Sequence, residues 1–401
     1  MQVNTDEKAI DEVLERGTIV QVLPTKEAFK ERLMSGEQLR FYIGFDATAP
    51  TLHLSHAKNL MLLEKFRKLG HEVIVLFGDF TARIGDPSGE DSARKQLTRE
   101  DVMENVKIWK ELIEPLMEFN GSDNPPLIKY NNDWLSKLNF EDVISLASNL
   151  TVQQMLERDM FEKRIQEGKP IHLHEFLYPL MQGYDSVAMD VDAEVCGTDQ
   201  IFNALTGRTL LRKLKNKDKF VVAVTLMENP KTGDLMSKSK GTGIFLDVSA
   251  PDMYGQIMSQ PDEMVEILFV NVTSLSLKEI SELMKMDNLR DLKMRLAFEI
   301  VKIFHGEDKT KTAQQAFVDQ FQNKSIPDNL VEKTGTTGLE LLDVLVETGL
   351  VSSKSEARRK MDEGAVKLDE EKITDHKYQL EFGDKEEKIL KLGRKIVKLC
   401  R

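Results

Sequence analysis

Residues 39–66, LRFYIGFDATAPTLHLSHAKNLMLLEKF, constrain the fold more than any other stretch. Residues 41–45 are a short apolar run with the character of a buried strand. Residues 46–50 are rich in turn formers. His53-Leu54-Ser55-His56 then opens a helix. Leu60, Leu63 and Phe66 recur on its apolar face, and Lys58, Glu64 and Lys65 are expected largely outside it. A strand that hands over to a helix through a polar loop makes an anion site, because the first helical N–H groups have no internal partners. His53 and His56 add imidazole donors there, but their spacing completes no metal-ligand set. Neither GxGxxG nor GxxxxGK[ST] occurs here, so the common dinucleotide and P-loop readings fail.

The rest of the chain continues the pattern. Residues 71–78, HEVIVLFG, are nearly all apolar, as a strand buried in a parallel sheet should be. With 39–45 and 56–69 they form a βαβ unit. Before it, residues 6–35 read as two surface helices flanking 17–24. After it come a glycine- and proline-punctuated loop at 78–89, a helix at 98–118 and a strand at 125–130. Charged helices at 133–168 then break the rhythm, as an insertion between two sheet halves would. A helix at 174–186, a strand at 190–196 and a last strand at 220–226 resume it. Residues 252–322 are helical throughout, with Pro251 and Pro261 marking starts. Residues 325–338 are polar and read as a linker, and 339–401 change to short helices and strands.

The net charge of −12 is the wrong sign for a general nucleic-acid binder. From Thr336 onward, however, fourteen Lys/Arg balance fourteen Asp/Glu, so the acidity lies elsewhere. That leaves room for a specific RNA partner of the tail. Cys196 and Cys400 stand far apart in no CxxC, so neither a disulfide framework nor a zinc site is expected. No apolar run is long enough to cross a membrane, and the first residues carry no signal-peptide core. A cytoplasmic location is the expectation.

Five polar clusters fall where strands end: 42–56, 79–89, 178–185, 197–200 and 234–240. In a parallel sheet the carboxyl ends share one edge, so these clusters should line one crevice. Residues 175–185, EFLYPLMQGYD, put Tyr178, Gln182 and Asp185 on one helix face. An aspartate on an apolar face is costly without hydrogen-bond partners. Residues 235–241, LMSKSKG, carry lysines and serines, groups suited to stabilising a departing phosphate.

His53-Leu54-Ser55-His56 resembles the HxGH signature of class I aminoacyl-tRNA synthetases, with Ser55 in place of its glycine. Residues 42–53 fit YxGFDxTAxxLH, which resembles the tyrosyl enzyme in particular. Residues 235–239 resemble the KMSKS loop with Leu235 in place of the first lysine, and residues 197–200, GTDQ, resemble GxDQ. The tail resembles an S4-type RNA-binding module, through residues 349–360, GLVSSKSEARRK, and 364–368, GAVKL.

The resemblance implies a doubly wound, Rossmann-like α/β catalytic domain at 1–245 with a helical insertion near 133–168. A helical anticodon-side domain at 246–325, a linker at 326–338 and a small α+β S4-like tail at 339–401 would follow. It implies ligation of L-tyrosine to tRNA(Tyr) through tyrosyl-adenylate, with ATP and its Mg2+ as substrate and no metal held by the protein. Tyr42 and Asp185 would bind the phenol. Asp86, Tyr178 and Gln182 would hold the ammonium, and Gln200 would lie near the carboxylate. Gly44, Asp46, Thr48, His53, His56, Gly197, Asp199, Met236, Ser237, Lys238 and Ser239 would bind ATP. Of these, Thr48, His53, His56 and Lys238 would stabilise the transition state. Lys354, Arg358 and Arg359, on a helix capped by Ser353, would meet RNA phosphates. The family is usually a homodimer, with the insertion at or near the interface. A tryptophanyl enzyme shares both signatures, but Tyr42 with Asp185 argues for a phenol. An RNA-binding paralogue without the activity is the rival from another class, and Ser55 and Leu235 are the features that favour it.

Overall fold

The protein is represented by a computed structural model. It describes residues 2–86, 97–156, 158–233, 236, 243–321, 331–334, 337–369, 371–382, 387–393 and 395–401. The chain forms two compact units, residues 1–315 and 316–401.

The first unit opens with α1 (Glu7–Leu14), β1 (Ile19–Leu23) and α2 (Lys26–Met34). It continues with β2 (Arg40–Phe45), α3 (Leu54–Lys68) and β3 (Glu72–Phe77), the βαβ unit. Next come α4 (Arg99–Ile113), capped by a reciprocal Thr98–Asp101 pair, and β4 (Leu127–Tyr130). The insertion is α5 (Asn132–Leu135), α6 (Phe140–Ala147), α7 (Val152–Leu156) and α8 (Asp159–Gln166). Then follow α9 (Leu173–Met189), β5 (Ala193–Gly197), α10 (Ile201–Lys215) and β6 (Phe220–Val224). Five more helices complete the helical run: α11 (Ala250–Met258), α12 (Met264–Val272), α13 (Leu277–Leu283), α14 (Leu289–His305) and α15 (Glu307–Phe321).

The six-stranded sheet has the order β1-β6-β5-β2-β3-β4. Neighbours from β6 to β4 are parallel, and β1 joins β6 antiparallel. From β2 the chain winds outward through β3 and β4 on one side and through β5 and β6 on the other. The switch point therefore lies between β2 and β5, where an open α/β sheet leaves a crevice at its carboxyl edge. The strands carry their apolar runs: Phe41, Ile74, Val75, Val195 and Val222 are all buried.

Three details differ from the sequence reading. Residues 17–24 hold an edge strand, β1, because the alternating IVQVL needs only one partner and finds it in β6. Lys58 and Glu64, expected on the open face of α3, are 1% and 7% exposed, because other elements close over that face. Glu64 is satisfied by a bidentate pair with the equally buried Arg67, at 2.6 and 2.7 Å. Residues 331–334, within the expected linker, form a strand of the tail sheet rather than a free connection.

The second unit contains β7 (Val331–Thr334), α16 (Leu341–Glu347), α17 (Lys354–Asp362), β8 (Val366–Leu368), β9 (Glu371–Lys372), β10 (Glu387–Leu392) and β11 (Lys395–Cys400). Its sheet runs β7-β11-β10-β8-β9, with β7 parallel to β11 and the other pairs antiparallel. Its own core includes Leu341, Leu345, Met361, Leu380 and Leu399, so it buries apolar surface independently.

Candidate active site

A cavity of about 310 Å³ lies at the switch point, beyond the carboxyl ends of β2 and β5. Tyr42 and Gly44 enter it from β2, with Asp46 just after, and Asp86 enters from the segment after β3. Tyr178, Gln182 and Asp185 come from one face of α9. Gly197, Asp199 and Gln200 come from the turn after β5, and His56 from the start of α3. Four of the five predicted clusters thus share one crevice. Thr48, His53 and Met236 do not line the cavity. Thr48 closes the loop locally, its N–H donating to the Asp46 carbonyl at 2.8 Å. Met236 is buried, with its N–H on the Met227 carbonyl at 2.9 Å. Ser237, Lys238 and Ser239, with Leu235 and Lys240, lie outside the described residues.

The floor is a connected hydrogen-bond network, in which Asn203 Oδ1 is buried without a partner among the described residues. Asp185, 3% exposed, accepts from Trp134 Nε1 at 2.7 Å and from Asn131 Nδ2 at 3.3 Å. Burial pushes its carboxyl up, and these two donors pull it back. Tyr42 Oη lies 2.9 Å from Ser186 Oγ. Gln182 Nε2 donates to Glu194 Oε1 at 3.0 Å. Asn203 Nδ2 bridges Gln182 Oε1 at 3.0 Å and Gln200 Oε1 at 2.8 Å. Gln200 Nε2 donates onward to Asp86 Oδ2 at 2.7 Å. On the cavity wall, the hydroxyls of Tyr178 and Thr81 donate to the two oxygens of Asp46, at 2.7 and 2.6 Å. Burial pushes the Asp46 carboxyl up to about 7, against the pull of those hydroxyls. Gly78 makes this possible: a Cβ there would stand 2.0 Å from Asp46 Oδ1.

Sequence reasoning does not single out Trp134, Asn131, Thr81, Glu194 or Lys219. Glu194 does carry a signal, as a lone carboxylate within the apolar strand β5. Asn131 directly follows β4 and Trp134 lies one turn later, where the carboxyl-end rule points. Lys219, just before β6, carries none.

The rim is different. The His53 N–H donates to His56 Nδ1 at 3.4 Å, and the two rings stand 4.2 Å apart. Burial pushes His53 down to about 4 and His56 to about 3, so both are neutral at pH 7. His53 Nδ1 is buried with no hydrogen-bond partner among the described residues. Ser55, beside them, lines the cavity. The segment entering α3 is stitched to the chain beyond the 235–241 stretch. Leu54 N–H donates to the Ile244 carbonyl at 3.0 Å, and Leu246 N–H to the Leu52 carbonyl at 2.9 Å. Lys58, on the next turn, donates to the Thr225 carbonyl, and burial brings its ammonium down to about 7. No cluster of three or more His, Cys, Asp or Glu among the described residues could hold a metal ion.

In the tail, Ser353 caps α17 by accepting from the Glu356 N–H at 3.3 Å, as its position predicts. Lys354 is held by Asp343 at 2.5 Å. Arg358 and Arg359 are exposed, and Arg359 lies 3.8 Å from Glu363.

Residues 34–322 match the family model described as tRNA synthetases class I (W and Y). The chain belongs to that family. Residues 318–398 match the model for the tyrosine–tRNA ligase SYY-like C-terminal domain. The chain is similar to the tyrosine–tRNA ligase of Thermotoga maritima, at 41% identity over 93% of each chain. It is also similar to that of Idiomarina loihiensis, at 42% identity over 88% of this chain and 89% of the relative. A C-terminally truncated mitochondrial tyrosyl-tRNA synthetase of Aspergillus nidulans shares the fold, with a TM-score of 0.67 and 23% identity. That likeness covers 78% of this chain and 94% of the other. As a class I synthetase, the chain uses ATP.

Proposed function

We propose that this chain is a tyrosine–tRNA ligase. The tyrosine carboxylate attacks the α-phosphate of ATP in line, giving tyrosyl-adenylate and pyrophosphate. A ribose hydroxyl of the terminal adenosine of tRNA(Tyr) then takes the tyrosyl group and AMP leaves. Relatives named for this activity at about 40% identity support the reading. The observation that carries the choice of amino acid is the cavity floor, where the buried Tyr42 hydroxyl and Asp185 carboxylate converge. Such groups accept a phenol and are left unpaired by phenylalanine. Tyrosyl enzymes as a family reject phenylalanine by a factor of order 10⁵ on this principle, a property of the family and not a result from this chain.

Asp86, Tyr178 and Gln182 hold the ammonium, and Gln200 stands by the carboxylate. Gly44, Asp46, Gly197 and Asp199 serve the nucleotide, and Met236, Ser237, Lys238 and Ser239, by their resemblance to KMSKS, serve its phosphates. No side chain acts as nucleophile in the first step. Catalysis is positioning and charge stabilisation, with Thr48, His53, His56 and Lys238 in the stabilising role and Mg2+ arriving with ATP. The neutral His53 and His56 act as N–H donors.

The exposed apolar side chains Phe140, Ile144, Val152 and Ile165 on the insertion support a homodimer contact. Light scattering at micromolar concentration tests it, and a monomer overturns it. Arg358 and Arg359 on α17 support an RNA-binding tail. Replacing both with alanine should weaken tRNA charging about tenfold and leave tRNA-independent exchange unchanged. The substrates meet in the cytoplasm, and no helix among the described residues is long and apolar enough to cross a membrane.

The decisive experiment is amino-acid-dependent exchange of pyrophosphate into ATP without tRNA. Exchange with tyrosine, and not with phenylalanine or tryptophan, is expected. Equal exchange with tryptophan, or none with any amino acid in folded protein, overturns the reading.

A further inference from the structure

The floor's Glu194 forms an ion pair with a lysine behind it, and the two-step reaction does not use that pair. Lys219 and Glu194 are 0% and 2% exposed at the side chain and are in direct contact. Lys219 Nζ also donates to Ser186 Oγ at 2.7 Å, and stands 5.5 Å from the centre of the Tyr42 ring. The packing around it leaves no slack, since a Cβ at Gly207 would stand 2.7 Å from both Lys219 Nζ and Ser186 Oγ. A buried ion pair is weak evidence for stability, because desolvation offsets most of the attraction. A role in orienting its neighbours is the better account of its place.

Donor chemistry fixes the direction of each bond. An ammonium has donors and no acceptor, so Ser186 Oγ must accept from Lys219. Ser186 then has one proton to give. Tyr42 Oη is 2.9 Å away, whereas the nearest Glu194 oxygen is 3.5 Å away. The shorter contact takes the proton. Tyr42 Oη, having accepted from Ser186, keeps its own proton, for which the Glu194 carboxylate and an acceptor in the cavity that Tyr42 lines compete.

We propose that Lys219 and Ser186 are positioning residues for amino-acid selection: they fix the Tyr42 hydroxyl as a hydrogen-bond donor to the substrate's phenol oxygen. The inference rests on the reading that Tyr42 and Asp185 bind the phenol. In the completed chain Lys219 donates to Ser186, Ser186 to Tyr42, Tyr42 to the phenol, and the phenol to Asp185. Each oxygen has one assigned role. A side chain lacking the hydroxyl leaves Tyr42 without an acceptor and takes a donor from Asp185, and both groups are buried from bulk water.

The test compares kcat/KM for tyrosine and for phenylalanine in tRNA-independent pyrophosphate exchange, the latter at high enzyme concentration. Ser186→Ala removes the link while leaving the Lys219–Glu194 pair intact. It is expected to lower tyrosine activation about tenfold and to change phenylalanine activation less than twofold. The same substitution in a Tyr42→Phe background is expected to cost tyrosine activation little more, since the hydroxyl it orients is gone. Lys219→Met alone would strand the Glu194 carboxylate, so K219M/E194Q is the second variant, with the same selective loss expected. A Ser186→Ala loss shared equally by both amino acids, or equally large with and without the Tyr42 hydroxyl, overturns the relay. Tyr42→Phe alone separates the two levels of the argument. If it spares the discrimination, the phenol reading fails and the relay with it. If it narrows the discrimination while Ser186→Ala does not, the relay alone fails.

Discussion

The floor and the rim of this cavity are built on opposite plans. On the floor, protein groups already satisfy one another: Asp185 with Trp134 and Asn131, Gln182 with Glu194, Gln200 with Asp86. On the rim, His53 Nδ1 is buried without a partner among the described residues, and both histidines are kept neutral. A satisfied network holds its geometry before substrate arrives and can discriminate by leaving groups unpaired. An unpartnered polar group on the rim is left to respond when charge appears beside it, which is what a transition state supplies. The floor should therefore set affinity and selectivity, and the rim should set the rate.

The largest expected effect is on the floor. Asp185→Ala leaves Trp134 Nε1 and Asn131 Nδ2 facing a cavity with no acceptor and takes away the phenol's. Tyrosine-dependent kcat/KM in pyrophosphate exchange should fall about 10³-fold or more, the scale of breaking a buried charged contact. The KM for ATP should move less than about threefold. An equal rise in both Michaelis constants would erase the distinction between floor and rim.

His53→Ala is the matching change on the rim. Loss of one preorganised donor lowers kcat about 10²-fold, and the KM for tyrosine should stay within about twofold. Single-turnover formation of tyrosyl-adenylate separates the two quantities. If tyrosine affinity falls instead, His53 belongs to the floor's network.

Trp134→Phe sharpens the comparison within the floor. It keeps an aromatic ring and removes the Nε1 donor to Asp185, one hydrogen bond to a buried carboxyl. Losing it should raise the tyrosine KM about tenfold. It also removes a bond that holds the Asp185 carboxyl down, so that pKa should move further up. Tyrosine binding should then weaken toward acid more in this variant than in the wild type, as a pH series of binding measurements checks.

The same contrast explains what can be read from the sequence. The strand-loop-helix at 39–66 and the clusters at 178–185 and 197–200 are legible, because helical spacing and strand ends are local properties. The residues that complete the floor are not, because they reach it through the fold. Trp134 meets Asp185 across 51 positions, and Lys219 meets Ser186 across 33. Lys58 misleads for the same reason. Its helical position looks outward, but it ends against the Thr225 carbonyl, 167 residues away. Strand β1 escapes because a five-residue edge strand between two helices looks like a connection. Val331–Thr334 passes for linker because its partner is β11, at the far end of the chain.

The smallest expected effect lies where floor and rim meet, at Asp46. Its carboxyl sits near 7 in the folded protein, against about 3.8 as an ordinary aspartate, chiefly because burial disfavours the charge. Between those values the folded state holds a proton that the unfolded chain has released. Asp46 therefore makes stability fall as pH rises from about 4 to about 7, and above 7 the folded protein carries the full cost of the buried charge. Asp46→Asn removes that slope, and its amide oxygen still accepts from one of the hydroxyls of Tyr178 and Thr81. The difference in Tm, variant minus wild type, should become more positive by a few degrees between pH 4.5 and pH 8. A difference that is flat across this range would mean that the two hydroxyls already hold Asp46 ionised, as firmly as the floor holds its own groups, and the boundary between the two regions would move outward to His56.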